Sequence, residues 1–321
     1  MRGVMGAMMS QQCTDVEIAA ILTALLMKGE TEEEIAGAAL AMRERATRIP
    51  TSRTGLIDTC GTGGDGMKTF NISTATAFVI AASGVPVAKH GNRSVTSTSG
   101  SADVLEALGV DIDLSAEQAG ACLDAIGICF CYARTLHTAM KHVAPVRAQL
   151  GFRTIFNLLG PLTNPAAAEY QLIGVSSDEL AAKIAGAARS LDLKRVMVVC
   201  GNHELDEVAL WGTTRVWDVT PGQVLLHEWT AADFGLPECS PRDLMIESKE
   251  DSARIIQGLV NGAPGPARNI VVANAALALV CRGAVSTLKE GVERAQSVID
   301  DGQTAGLLKK LVDWTTEHGR K

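Results

Sequence analysis

The chain has no excess of basic residues: 29 Lys and Arg against 36 Asp and Glu leave a net charge of −7 over 321 residues. That balance excludes nucleic acid and anionic membranes as bulk partners, because neutralising their phosphates takes a basic face. A local basic pocket is still compatible with it. No apolar run approaches the roughly 20 residues needed to cross a bilayer, so no membrane partner is expected. The stretch "MRGVMGAMMSQQ" lacks the apolar core and cleavage site of a signal peptide, which makes the cytoplasm the expected compartment. The eight cysteines include no C-x-x-C pair. Reduced, mostly buried thiols are expected, with Cys129 and Cys131 on one face of a strand, in place of a disulfide framework or zinc site. There is no internal repeat, no low-complexity tract, and no Ser/His/Asp or Cys/His set to supply a covalent nucleophile.

With 47% apolar and 20% charged residues, what remains has the composition of an ordinary globular protein. The first fifty residues read as helices only. Capping boxes at Thr14/Glu17 and Thr31/Glu34 open two of them, the first stopping at Gly29 and the second before Pro50. After the turn-rich "PTSRTG" the pattern changes. Short apolar segments, "LIDTC", "VPVAKHG", "ICFCYA", "QLIGVS" and "KRVMVVCG", alternate with helical ones, which predicts a mainly parallel sheet covered on both faces. The expected fold class is therefore α/β: a small helical unit, 1–52 joined by part of 154–172, and a larger α/β unit, 53–321. Ligands of such sheets bind beyond the carboxyl ends of the strands. The loops "CGTGGDG", "KHGNRS" and "CGNHELDE" fall there.

The first of these loops fits neither common nucleotide motif. A P-loop places lysine directly after its last glycine, whereas Met67 separates Gly66 from Lys68. A dinucleotide fold needs an acidic residue at the end of its second strand, yet "VPVAK" runs into Lys89, His90 and Gly91. Glycine-loop amides, followed by Asn71, Ser73 and Thr74 at a helix start, offer a general anion site. The second loop adds Lys89, Arg93 and several hydroxyls, and two adjacent loops of this kind imply a ligand with two separated phosphate groups. In the third loop Glu204, Asp206 and Glu207 suit Mg²⁺, which prefers carboxylates and water shared with substrate phosphates. Asp65 and the Ser73 hydroxyl are candidates to face the same ion. Among the histidines, His90 is expected to be functional because it adjoins Lys89. His142, His227 and His318 read as surface or structural groups, and His137 is open.

Four long segments, "DTCGTGGDGMKTFNIST", "VAKHGNRSVTSTSGSADVLEALGV", "HTAMKHVAPVRAQLGFRTIFNLLGPLTNP" and "LDEVAL", occur in an order that resembles the anthranilate phosphoribosyltransferase family over nearly the whole length. The resemblance implies transfer of phosphoribosyl from 5-phosphoribosyl 1-diphosphate (PRPP) to anthranilate, with Mg²⁺ as cofactor and a homodimeric assembly. It implies a PRPP site of Gly61, Gly64, Asp65, Thr69, Asn71, Ile72, Ser73 and Thr74, extended by Lys89, His90, Gly91, Asn92, Arg93, Ser97 and Ser101. Gly61, Asn92 and Arg153 would contact anthranilate. Asp206 and Glu207, with Ser73, would hold the metal. The chain departs from the family's usual pattern at Arg134 and Thr138, where proline is common, at Thr96, where serine is preferred, and at Glu204, where glycine is common. Arg134 is expected to bear on the acceptor and Glu204 on metal affinity. A pyrimidine-nucleoside phosphorylase-like enzyme and a non-catalytic nucleotide-binding relative are the competing readings.

Overall fold

The structure, a computed structural model, describes residues 1–94 and 99–319. Three helices, α1 (Arg2–Met9), α2 (Asp15–Lys28) and α3 (Glu32–Arg45), open the chain. Both predicted capping boxes are formed: the Thr14 and Thr31 hydroxyls accept from the amides of Glu17 and Glu34, whose carboxylates accept in return. Each box satisfies amides that the first helical turn leaves without partners.

Five parallel strands follow, β1 (Ile57–Thr59), β2 (Val87–Gly91), β3 (Ile128–Tyr132), β4 (Tyr170–Gly174) and β5 (Arg195–Gly201). An antiparallel hairpin, β6 (Thr214–Thr220) and β7 (Gln223–Trp229), extends the edge. These two strands, over 214–229, are not among the expected apolar segments. The signal there is the "TPGQ" turn between two runs rich in β-branched and aromatic residues.

Helices fill the crossovers: α4 (Ile72–Ala82), α5 (Ser101–Ala107), α6 (Ala116–Ile126), α7 (Ala133–Leu136), α8 (Ala144–Leu150), α9 (Phe156–Leu159) and α10 (Asp178–Arg189). A helical tail closes the fold with α11 (Lys249–Val260), α12 (Pro266–Arg282), α13 (Leu288–Asp300) and α14 (Gln303–His318). The core divides at the sheet. On one side α4 and α12, in which Val271, Val272 and Leu277 are fully buried, pack on β1 and β4. On the other, α1 to α3 share a core with Val143–Leu162 and α10. The N-terminal helices are thus packed against a segment that lies a hundred residues further along the chain.

Strand order is β3-β2-β1-β4-β5-β6-β7. The chain builds outward from β1 to β3 and then returns to the opposite side of β1 with β4. That reversal is a topological switch point, where loops leaving adjacent strands diverge and open a crevice at their carboxyl ends. It lies between the glycine loop after β1 and the turn after β4.

Candidate active site

The glycine loop is first pinned to the neighbouring strand. Cys60 N donates to Leu172 O at 3.2 Å and Thr62 N to Gly174 O at 2.9 Å. It then coils through left-handed conformations at Gly63 (φ 64), Gly64 (φ 84) and Gly66 (φ 73), which side-chain-free residues adopt without strain. The chain enters α4 at Ile72, so Ser73 and Thr74 lie in the first turn, where helical amides lack internal partners. Ile72 and Thr74 are buried, and among the described residues the Thr74 hydroxyl has no hydrogen-bond partner. Thr69 forms an isolated bridge with Met245.

The acidic loop closes over this one. After β5 the chain reverses within a few residues: Gly201 and Leu205 exchange two backbone hydrogen bonds of 2.8 Å, with Asn202 (φ 47) and His203 (φ 62) left-handed between them. Asp206 and Glu207 are thereby laid against the ends of β1 and β4. The approach is close enough that a Cβ on Gly174 would overlap the Asp206 carbonyl, and one on Gly61 would stand 2.9 Å from Asp206 Oδ2. The same Oδ2 accepts from Gly63 N at 3.1 Å.

Electrostatics mark this as an anion-crowded point. Burial, then the charge of Asp65 and a hydrogen bond with it, push Asp206 up to about 7. Glu207 is held well above the usual carboxylate range, by burial first and the charge of Asp206 second. The Ser73 amide and the Lys89 charge oppose that rise. Lys89 is buried; its Nζ donates to Thr59 O at 2.6 Å and to Ser73 Oγ at 3.4 Å. Carboxylates forced together in this way favour either a shared proton or a cation.

Three oxygen-bearing acids and a serine hydroxyl, with no sulfur or imidazole among them, form a hard donor set of the kind magnesium takes. The glycine at position 61 leaves space beside Asp206 that any side chain would fill. Among the described residues, the structure also groups Asp58, Cys60 and His90 at metal-ligand spacing. Their polar atoms are already engaged. Asp58 accepts from His90 N at 3.0 Å and Asn164 Nδ2 at 2.8 Å, and Cys60 Sγ donates to Gly61 O at 3.7 Å.

This changes the expectation for His90. Successive strand residues face opposite sides of the sheet, and with Lys89 turned to Ser73 the imidazole points the other way. His90 Nδ1 donates to Gly160 O at 2.9 Å, which leaves Nε2, 3.2 Å from His137 Nε2, to accept from it. Burial lowers His90 to about 4 and His137 to about 3, so both are neutral. They form a core network, in which the imidazole of His90 is bonded to Gly160 and His137.

Arg93 also departs from the sequence expectation. Its guanidinium makes two 2.6 Å bonds to Glu106, one of 3.1 Å to Asp103 and one of 3.2 Å to Tyr132 Oη. These partners raise its pKa, the Glu106 hydrogen bond most. A group so engaged braces the second loop and is not free for a phosphate. Asn92 is exposed; its Oδ1 accepts from Arg93 N at 2.8 Å and its carbonyl accepts from Ser101 Oγ at 3.3 Å. The Asn71 amide ties the two loops together, donating to Ser99 O at 3.1 Å and accepting from Ser252 Oγ at 2.7 Å. Ser97 and Thr96 lie outside the described residues.

Arg153, on the segment between α8 and α9, is brought directly onto the glycine loop. Its Nη2 donates to Gly63 O at 3.2 Å and Thr62 O at 3.4 Å, and a Cβ on Gly64 would overlap the guanidinium. The side chain is otherwise exposed and able to meet a carboxylate. Arg134 and Thr138 are exposed just past the carboxyl end of β3, and Glu204 is an exposed carboxylate accepting from Asn202 Nδ2 at 2.9 Å. The sequence analysis did not single out Gly174 or Asp58. Asp58 had a legible signal, a carboxylate inside the apolar strand "LIDTC".

Comparison with known proteins adds to this geometry. Residues 53–305 match the glycosyl transferase family a/b domain, and residues 1–46 match that family's helical bundle domain. The anthranilate phosphoribosyltransferase of Symbiobacterium thermophilum is 49% identical over 311 residues, which are 97% of this chain and 91% of that protein. The crystal structure of the Thermus thermophilus enzyme of the same name superposes with a TM-score of 0.92 at 41% identity, covering 98% of this chain and 94% of that one. The Saccharomyces cerevisiae enzyme, solved in complex with PRPP and Mg, gives 0.91 at 28% identity, covering 98% and 92%.

Proposed function

The chain belongs to the anthranilate phosphoribosyltransferase family of glycosyl transferases, and from that premise we propose that it transfers phosphoribosyl from PRPP to anthranilate in tryptophan biosynthesis. The observation that carries the reading is the convergence of Asp65, Ser73, Asp206 and Glu207 on one side of the glycine loop with Arg153 on the other. In the reaction, the amine nitrogen of anthranilate bonds to the ribose anomeric carbon as the carbon–oxygen bond to diphosphate breaks, and one N–H proton is lost. Positive charge develops on the sugar and negative charge on the leaving group. When bound, magnesium supplies charge neutralisation for the departing diphosphate.

Residues of the chain do the rest by positioning. The amides of Gly61 and Gly64 and the first turn of α4, with Asn71, Ser73 and Thr74, offer donors to phosphate oxygens. Thr69, Ile72, Gly91, Asn92 and Ser101 complete the PRPP cradle in this reading, and Ser97 remains part of it. Lys89 braces Ser73 beside the acidic pair. Ser73, Asp206 and Glu207 are the assigned cation ligands. Gly61, Asn92 and Arg153 face the acceptor, with Arg153 the partner of its carboxylate. The amine is neutral at pH 7, so no strong general base is required.

The division into a helical unit, 1–52 with part of 154–172, and an α/β unit, 53–321, remains part of the proposal, supported by the core that α1 to α3 share with Val143–Leu162. So does homodimer formation. Val16 and Met27 on α2 are 79% and 80% exposed, an apolar surface suited to self-association. No described helix is long and apolar enough to cross a membrane, and we assign the enzyme to the cytoplasm. The test is loss of anthranilate fluorescence on mixing protein, PRPP and Mg²⁺. The proposal requires that omitting either PRPP or metal stops the loss, and a signal indifferent to both would refute it.

A further inference from the structure

Thr76 lies on α4 one turn beyond Ser73, on the same helical face. It is fully buried, and among the described residues its Oγ1 has no hydrogen-bond partner. Helical threonines commonly return their hydroxyl to the carbonyl four residues back; this one does not. An unpaired hydroxyl in a core carries its full desolvation cost, and valine would fill the same volume without it. The residue also lines a cavity of about 10 Å³ whose other walls include Thr59, Gly61, Ser73, Asp206 and Glu207. A space of roughly 10 to 15 Å³ holds one water when two or more polar groups face it.

We propose that Thr76 is a positioning residue of the cation site, its hydroxyl orienting the Glu207 carboxylate through a single water in this cavity. The inference rests on the reading of Asp206 and Glu207 as cation ligands and extends it one layer inward. Partners of this kind fix the orientation of a ligating carboxylate, and their loss typically weakens metal affinity about 10- to 100-fold. Removing the hydroxyl takes away the anchor of that water and weakens the bound ion, while valine fills the same volume and the metal-free protein stays folded.

The experiment is calorimetric titration of Mg²⁺ into protein saturated with PRPP, for the parent, Thr76→Val and Thr76→Ser, with thermal unfolding of each in the absence of metal. The expected result is Mg²⁺ affinity about tenfold weaker in Thr76→Val, near-parental in Thr76→Ser, and an unfolding midpoint in metal-free Thr76→Val close to the parent's. Thr76→Ala serves where the valine variant does not fold. Parental Mg²⁺ affinity in the variants lacking the hydroxyl overturns the proposal. Failure of the parent itself to bind Mg²⁺ would overturn the cation reading first and this inference with it.

Discussion

Single residues decide whether the two loops of the site can touch. Gly174 is the sharpest case, because a side chain there would collide with the backbone of Asp206 and push the acidic loop off the strand ends. Gly174→Ala is expected to leave the fold intact and to weaken Mg²⁺ binding by at least tenfold, read by titration beside a circular dichroism spectrum matching the parent. Unchanged metal affinity would mean the loop tolerates displacement. Sequence reasoning could not find this glycine, since its backbone conformation is ordinary and the constraint comes from a loop thirty residues later. Gly61, Asp65 and Ser73 were named from one loop and Asp206 and Glu207 from another, each at a strand end, and the two loops lie against each other. Lys89 was legible as a basic group at a strand end, but its bond to Ser73 was not. The partners of the His90 and Arg93 side chains were not legible, because a sequence shows that a polar group is present and not which neighbour it bonds.

At the scale of elements, the strands and helices were predicted from their periodicity, and five strands of the parallel sheet lie within a residue or two of the apolar runs that announced them. The hairpin β6–β7 lies outside that pattern, because no helix separates its strands. A different element-level feature is the buried network joining β1, β2 and the turns before β4. Asp58, Asn164, His90 and His137 are linked there through hydrogen bonds, with Asp58 joined to both Asn164 and His90 and His90 joined to His137. The two histidines titrate at about 4 and 3 when folded, against 6.5 for an unperturbed imidazole. The unfolded chain therefore binds protons the folded one refuses, and stability falls as pH drops below 6.5. Asp58, raised by burial from 3.8 to about 6, works in the opposite sense between those values. The net difference is about one proton, a slope of roughly 1.4 kcal/mol per pH unit from these groups. Asp206 and Glu207, also raised in the fold, act in the sense of Asp58 over the same range and are common to parent and variant, so the network is read by difference. In urea unfolding between pH 7 and 5, His137→Asn should lose less stability, or gain more, on acidification than the parent does, and parallel curves would show that the network does not contribute.

For the molecule as a whole, the decisive fact is topological. The order in which strands are added reverses between the parallel neighbours β1 and β4, the glycine and acidic loops both leave the carboxyl edge of the sheet, and the segment between α8 and α9 delivers Arg153 onto the same point. In the proposed function, donor and acceptor halves of the site thus come from parts of the chain that no local motif connects. The account's central claim is that they meet at Arg153, and steady-state kinetics of Arg153→Ala test it most directly. Loss of a hydrogen bond to a charged group costs about 1.5 to 3 kcal/mol, so KM for anthranilate should rise roughly 10- to 100-fold while KM for PRPP changes little. A variant that loses PRPP and keeps anthranilate, or one that leaves both constants at parental values, would contradict the account.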